Sequence, residues 1–313
     1  MIENKALHRP VMNENSVNVV GATVSNSRNA YRCFDVDDAE DSRYCVSALH
    51  IKDCMDSYHF GFKAELNYEC HALVRNYFNR FCHLSYDDSY ITYCDMCYNS
   101  QNLFGCVGLK KGEYMIFNKQ YAKEEYVELV DRMVAHMKST KEFGEFFPIA
   151  MSPFGYNETQ GNVYMPLTKK DVLNKGWKWE DTVPGTFGKE TLSPENIQDD
   201  IQNIDDSILN AALKCISCGR NYNIAKAELD FYRRENVPVT RRCYDCRYMR
   251  RIGLRASRKL WHRQCMCDYA THANTVKHAH HEGGRCPNEF EKSYAPDRKD
   301  IVYCEQCYQA EVV

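Results

Sequence analysis

The stretch "YECHALVRNYFNRFCHLSYDDSYITYCDMC", residues 68–97, places Cys70, Cys82 and Cys94 twelve residues apart. The beat continues in both directions. Cys33 and Cys45 are also twelve apart, Cys106 lies twelve beyond Cys94, and the 25-residue gap from Cys45 to Cys70 is two steps of twelve plus one inserted residue, with Ser57 on the missing rung. An aromatic side chain stands one or two residues before nearly every rung cysteine: Tyr31, Tyr44, Tyr68, Phe81, Tyr93 and Phe104. Self-similarity at a fixed period marks a repeat architecture. Steps this short leave no room for helix–turn–helix units, proline is absent from 11–147, and the residues between rungs are β-formers and turn-type Asp, Asn and Ser. A mainly β fold follows, with a parallel β-solenoid over 19–118, small Cys or Ser side chains stacked inside and polar turns outside. Taken as half a coil, twelve residues would give a stack of about 20 Å at ~4.8 Å per strand.

Cys94-x-x-Cys97 reads as part of this interior, since Cys94 is a rung residue and no second C-x-x-C lies in the block. The acids of "DVDDAED" read as solvated turns. After the repeat, "YAKEEYVELVDRMVAHMKS" sets Tyr126, Leu129, Val130, Met133, Val134 and Met137 on one helical face, which predicts a helix capping the last coil. Residues 119–180 form this helical cap and a loop region. Within it Thr168, Asp171 and Gly176 mark the cap, first turn and stop of a short helix, and Trp177 and Trp179 read as buried anchors. Residues 181–206 read as an acidic linker, and 207–313 as a zinc-binding module with two sites.

The chain has 313 residues, a formal net charge of −3 and 17 cysteines. The opening "MIENKALHRPVMNEN" lacks an apolar core for a leader, and no run of 18 apolar residues occurs, so a reducing, cytoplasmic setting without membrane contact is expected. Thiols there serve as metal ligands or small buried hydrophobes.

Cys215-x-x-Cys218 and Cys243-x-x-Cys246 have the spacing of a four-thiolate site, closed tetrahedrally by one Zn²⁺ with no open position for catalysis. Gly219 suits the tight turn after the first pair, and Pro238 in "NVPVTRRC" delivers the chain extended to the second. The stretch "CISCG…ELDFYRRENVPVTRRCYDCR" resembles the zinc-ribbon, treble-clef-like family over about 35 residues. The longer chain resembles uncharacterised proteins of candidate-phyla bacteria, in which "NLFGCVGL…NKQY", "SPFGYNET" and a terminal "YAPDR…VYCEQCY" recur in this order. Neither resemblance implies an activity.

A second cluster follows: Cys265, Cys267, Cys286, Cys304 and Cys307, with His272, His278, His280 and His281 between them. Four of the five thiols are expected to hold a second structural zinc, which makes two ions in all, and each histidine reads as a solvated loop residue. As a group, "HANTVKHAHH" offers an alternative: a further, adventitious metal. Glu282 is the one nearby acid–base partner that an open, catalytic zinc would have.

Residues 241–263 carry nine Lys or Arg against the single Asp245. Arginine suits bidentate phosphate contacts, and interleaved aromatics favour single-stranded or structured RNA over plain duplex. Arg247, Arg250, Arg251, Arg255, Arg258, Lys259 and Trp261 are the candidate contacts to RNA or DNA. Internal pairing with the acidic stretch 189–206 is the competing reading. No nucleotide loop, nucleophile elbow or H-E-x-x-H is present. The sequence therefore points to a non-enzymatic zinc-binding protein whose basic module contacts nucleic acid or a ribonucleoprotein. The alternative is a structural protein within a larger protein assembly, with solenoid and zinc module as binding surfaces. An enzyme is the least favoured reading.

Overall fold

From Asn26 to Tyr44 every third residue, namely Asn26, Asn29, Arg32, Asp35, Asp38, Asp41 and Tyr44, has a positive φ, and the same beat runs on to Phe117. Each such residue is a corner, and the residue after it turns inward. A computed structural model describes residues 6–182, 185–255, 257–271 and 274–312. It falls into two compact units, Met1–Phe147 with Ala256–Val313, and Pro148–Arg255.

In the first unit the strands pair in parallel with the residue twelve positions on: Phe34 with Val46, Val36 with Ala48, Ile91 with Leu103 and Leu103 with Met115. Twelve residues are therefore a whole coil with four corners. The sequence estimate of half a coil is corrected, because left-handed corners every three residues close the turn twice as fast as ordinary β-arcs would. About nine coils form, which stack to about 40 Å at ~4.8 Å each. Phe62 and Lys63 both take positive φ, and across them the offset becomes thirteen, as in Ile51 with Ala64 and Tyr58 with His71. That is the inserted residue read from the cysteine spacing.

A left-handed corner costs a non-glycine residue roughly 1–2 kcal/mol. The cost is offset by hydrogen bonds to both neighbouring coils. At one corner the Arg43 N–H donates forward to the Cys54 carbonyl at 2.9 Å, and the Tyr44 N–H donates back to the Tyr31 carbonyl at 2.9 Å. Asn and Asp tolerate this conformation best, which explains their abundance between the rungs.

The inward residues form four columns. Cys33, Cys45, Ser57, Cys70, Cys82, Cys94 and Cys106 make one, all buried. The others mix aliphatics with Ser42, Cys54, Asn67, Asn79, Asn76, Asp88, Ser85 and Cys97. Both members of Cys94-x-x-Cys97 thus face the interior. The tube is narrow, and its inward N–H groups need acceptors. Ser42 Oγ accepts the Cys54 N–H at 3.2 Å, Asn79 Oδ1 accepts the Ile91 N–H at 3.2 Å and Cys106 Sγ accepts the Asn118 N–H at 3.4 Å. Thiols also donate, as Cys45 does to the Arg43 and Cys54 carbonyls at 3.3 and 3.5 Å. Cysteine, serine and asparagine recur because they are small and complete the backbone's hydrogen bonding.

The aromatics before the rungs form a flank. Phe81 stacks on Tyr93 with centroids 4.6 Å apart, and Tyr93 meets Phe104 edge-on at 5.8 Å. Helix α1, Lys123–Thr140, covers them with the six-residue face read from sequence. It begins on the last coil, where Tyr126 meets Tyr114 at 5.7 Å, and the chain beyond it reaches back to Phe81 through Phe143 at 6.0 Å. The helix therefore also covers the side of several coils.

The second unit opens with α2, Gln160–Tyr164, and α3, Lys169–Asn174. Thr168 caps α3 by accepting the Asp171 N–H at 3.2 Å, and Gly176 takes φ 72° just beyond it. Trp177 packs on Tyr156 at 5.4 Å. The acidic stretch forms short 3₁₀ turns that bury Ile197, Ile201, Ile204 and Ile208 against Leu213, Leu229, Tyr232 and Val239. Helices α4, Lys226–Arg234, and α5, Tyr244–Ile252, complete this unit. In the first unit, the hairpin Trp261–Gln264 with Glu289–Lys292 and helix α6, Glu305–Val312, form a C-terminal lobe. Leu7–His8 pairs in parallel with Ile301–Val302 of that lobe. No helix is long and apolar enough to cross a membrane among the described residues.

Candidate metal centres

The proximal centre is assembled from a hairpin and a helix end. Leu213–Lys214 pairs with Asn221–Tyr222, and the turn between them carries Cys215 and Cys218. Gly219 has φ 74°, in the left-handed region, and its N–H donates to the Cys215 carbonyl at 2.9 Å, which closes the knuckle. Cys243 is the residue before α5 and Cys246 lies in its first turn. All four sulfurs fall within 4.8 Å of one another, and Cys218 and Cys243 are 3.7 Å apart. Burial raises the Cys215 thiol, but N–H donors of Cys243, Cys218 and Ser217 outweigh it and hold the group down at about 6. Donation of backbone N–H to sulfur favours the thiolate, the form that binds metal.

The distal centre repeats this plan. Cys265 follows the first strand of the C-terminal hairpin, Cys286 precedes the second, and Cys304-x-x-Cys307 enters α6. The four sulfurs lie within 4.8 Å of one another and all four residues are buried. Cys265 and Cys307 are 3.8 Å apart, and Cys286 and Cys304 are 3.9 Å apart. The Cys304 N–H donates to Cys265 Sγ at 3.0 Å, and Asn288 Nδ2 to Cys304 Sγ at 3.4 Å. The Cys265 sulfur, against burial, pulls the Cys304 thiol down to about 3. Of the five thiols, Cys265, Cys286, Cys304 and Cys307 come together as a four-sulfur group.

Sulfur spacing tests whether these groups suit zinc. A tetrahedral Zn²⁺ with Zn–S about 2.3 Å sets its sulfurs about 3.8 Å apart. The Cys218–Cys243, Cys265–Cys307 and Cys286–Cys304 pairs, at 3.7, 3.8 and 3.9 Å, match that edge.

Cys267 falls in a different group, with His278, His281 and Cys307. The expectation that the histidines are solvated is corrected. His278 is 1% exposed, and His280 and His281 are half-buried. His278 packs among the Tyr269, His280 and His281 rings, and Glu311 on α6 accepts from His278 Nε2 at 2.8 Å and from the Thr275 N–H at 2.8 Å. His272 lies outside the described residues. Glu282 is exposed.

The basic run divides. Arg241 reaches Asp199 at 2.8 Å and the Ile197 carbonyl at 2.6 Å. Arg247 bonds Glu228 at 2.9 Å and Tyr232 at 3.1 Å. In the other unit, Arg258 bonds Asp35 at 2.9 Å and Ser47 at 2.7 Å on the solenoid, and Lys259 lies over the Trp261 ring at 5.6 Å. Arg255 lies over Tyr164 at 5.9 Å. Arg250 and Arg251, on the last turn of α5, are exposed and carry no ion pair among the described residues.

No protein-family model and no curated protein matches the chain. Among solved structures it is similar to a proposed acetyltransferase from Desulfovibrio desulfuricans G20, at 9% identity and a TM-score of 0.16. The match covers 42% of this chain and 41% of that one. A likeness that low carries no argument about fold or activity.

Proposed function

We propose that the chain is a non-enzymatic, zinc-stabilised binding protein whose helix α5 contacts nucleic acid. The observation that carries the zinc reading is the pair of closed thiolate groups with sulfur separations of 3.7–3.9 Å. Borderline-soft Zn²⁺ suits four thiolates, and a four-thiolate set leaves no coordination position for a substrate. Such ions contribute folding energy, about 10–16 kcal/mol in isolated fingers at neutral pH.

The nucleic-acid reading is supported by α5 itself. Its N-terminal end carries the Cys243/Cys246 half-site, and Arg247 ties it to Glu228 at 2.9 Å. Its last turn carries the exposed Arg250 and Arg251, and Tyr244 is 64% exposed and stacked on Tyr248 at 6.2 Å. Guanidinium groups on the same helix as an exposed tyrosine, Tyr244, backed by the half-buried Tyr248, suit phosphate contact combined with base stacking. Binding of labelled RNA and DNA at two salt concentrations tests it, since each phosphate neutralised releases counterions and steepens the salt dependence. No binding to either polymer at low salt rejects this half of the proposal and leaves the zinc half standing.

A protein-binding role has one observation in its favour. Tyr77, Phe78 and Tyr90 sit exposed at neighbouring corners of the solenoid, with Phe78 and Tyr90 5.5 Å apart.

A further inference from the structure

Cys267 is buried, yet it stands outside the four-thiolate set of the distal centre. Its sulfur is 3.5 Å from His278 Nδ1 and 3.5 Å from His281 Nε2. The two nitrogens are 3.2 Å apart, and His281 Nε2 is also 3.5 Å from Cys307 Sγ. With Zn–S about 2.3 Å and Zn–N about 2.0–2.1 Å, a tetrahedral ion sets sulfur–nitrogen edges of about 3.5 Å and a nitrogen–nitrogen edge of about 3.3 Å. All four separations agree with that geometry.

We propose that the distal centre is dinuclear: a third zinc binds Cys267, His278 Nδ1, His281 Nε2 and Cys307, and the Cys307 thiolate bridges it to the ion held by Cys265, Cys286 and Cys304. The inference rests on the zinc reading of the centre and extends it.

Three further features fit. Glu311 accepts from the outer nitrogen of His278 at 2.8 Å, which fixes the tautomer that leaves Nδ1 free for metal. Glu311 lies four residues after Cys307 on α6, so one helix face supplies both the bridge and the carboxylate that orients a ligand. The charges also balance better. Five thiolates and two neutral imidazoles around two Zn²⁺ leave a net −1, whereas a lone four-thiolate ion leaves −2 and a buried Cys267 whose sulfur has only Asn274 Nδ2, at 3.3 Å, and ring nitrogens beside it.

His280 is the remaining donor. Its Nε2 lies 3.2 Å from Cys307 Sγ, 3.5 Å from Cys286 Sγ and 3.9 Å from Cys304 Sγ. Together with His281, Cys286 and Cys307 it forms an overlapping group. His281 Nε2 has one lone pair and serves one ion, so that group cannot be filled alongside the first. His280 is assigned as an N–H donor to the bridging sulfur.

Zinc per chain in the full-length protein, measured by native mass spectrometry and elemental analysis, tests the assignment. Three ions are expected, falling to two in Cys267→Ser and in His278→Asn with His281→Asn, and staying at three in His280→Gln. Glu311→Gln should keep three ions but release one to a competing chelator 10–100-fold more readily. Substitution with Co²⁺ gives a readout that needs no variant, because two ions sharing one thiolate are magnetically coupled. Two uncoupled ions in the wild-type chain, or three ions unaffected by loss of His278 and His281, would overturn the dinuclear assignment and leave the zinc reading intact. No zinc at all would end both.

Discussion

Asn76 Oδ1 accepts the backbone N–H of Asp88, one coil on, at 2.8 Å, and Asp88 Oδ1 in turn accepts the N–H of Ser100 at 2.7 Å. The two side chains fill the same slot in successive coils, but they differ in what they can donate. Asn76 Nδ2 donates to the Ser85 carbonyl nine residues on, at 2.8 Å, and Asn79 repeats the bond to the Asp88 carbonyl at 3.3 Å. The corresponding Asp88 Oδ2 is buried and has no hydrogen-bond partner. A carboxylate there carries buried charge toward a row of carbonyls, and burial pushes its pKa up to about 7.

The folded chain therefore keeps a proton that an unfolded Asp, with a pKa of about 3.9, has lost. Stability from this group is fully present below about pH 4 and declines as pH rises through 7, by an amount on the order of 2–4 kcal/mol. Asp88→Asn should remove that decline and raise the melting temperature at pH 8, with little change at pH 4, because an amide can donate to the Cys97 carbonyl. Thermal melts of both proteins across pH 4–8 check this. An equal shift at every pH would contradict it.

The solenoid cysteines should be reduced and unreactive. Cys33, Cys45, Cys54, Cys70, Cys82, Cys94, Cys97 and Cys106 are all buried. Cys82 donates to the Arg80 carbonyl at 3.1 Å. Cys82→Ala should cost about 1–2 kcal/mol, since a small group and one weak hydrogen bond are lost. Cys82→Arg should prevent folding of the solenoid, because a charge would have no partner in the tube. Labelling of native protein with a thiol reagent, followed by peptide mapping, should leave all eight unmodified.

Chelation should act locally. Metal removal should disorder α4, α5 and α6 with their hairpins, while the coils keep their structure, because none of the four columns contains a residue of the metal-binding groups. Hydrogen exchange before and after chelator separates the regions. Loss of protection throughout 20–118 would contradict the prediction.

Arg250 and Arg251 give the sharpest test of nucleic-acid contact. Reversing both to Glu should lower RNA affinity at low salt at least tenfold and flatten the salt slope by about two phosphates. Zinc content should be unchanged, since neither side chain is a ligand, and the melting temperature should fall only slightly, because two glutamates replace two favourable cations at the C-terminal end of α5. Binding that survives the double reversal would move the interface elsewhere.

The twelve-residue beat was legible because one column is almost all cysteine. The three-residue beat beneath it was not. The other columns mix Ala, Ser, Asn, Ile and Asp, so hydrophobic contrast is weak, and the left-handed corners fall on residues such as Arg32, Tyr44 and His50 that carry no turn signal. The coil length therefore came out doubled. The proximal thiols were legible from spacing alone. The distal histidines were not, because the carboxylate that His278 pairs with, Glu311, is 33 residues away in sequence. A signal was present nonetheless in the run Cys267, His278, His281, with two ligand-type residues three apart. Arg258 looked like any other arginine of the basic run, and its bond to Asp35, 223 residues distant, could only come from the fold.

Zinc K-edge X-ray absorption on protein purified without chelator tests the central claim most directly. The account predicts bound zinc with a first shell dominated by sulfur at about 2.3 Å and a minor nitrogen component near 2.0–2.1 Å. Absence of zinc, or a first shell of oxygen and nitrogen without sulfur, would contradict it.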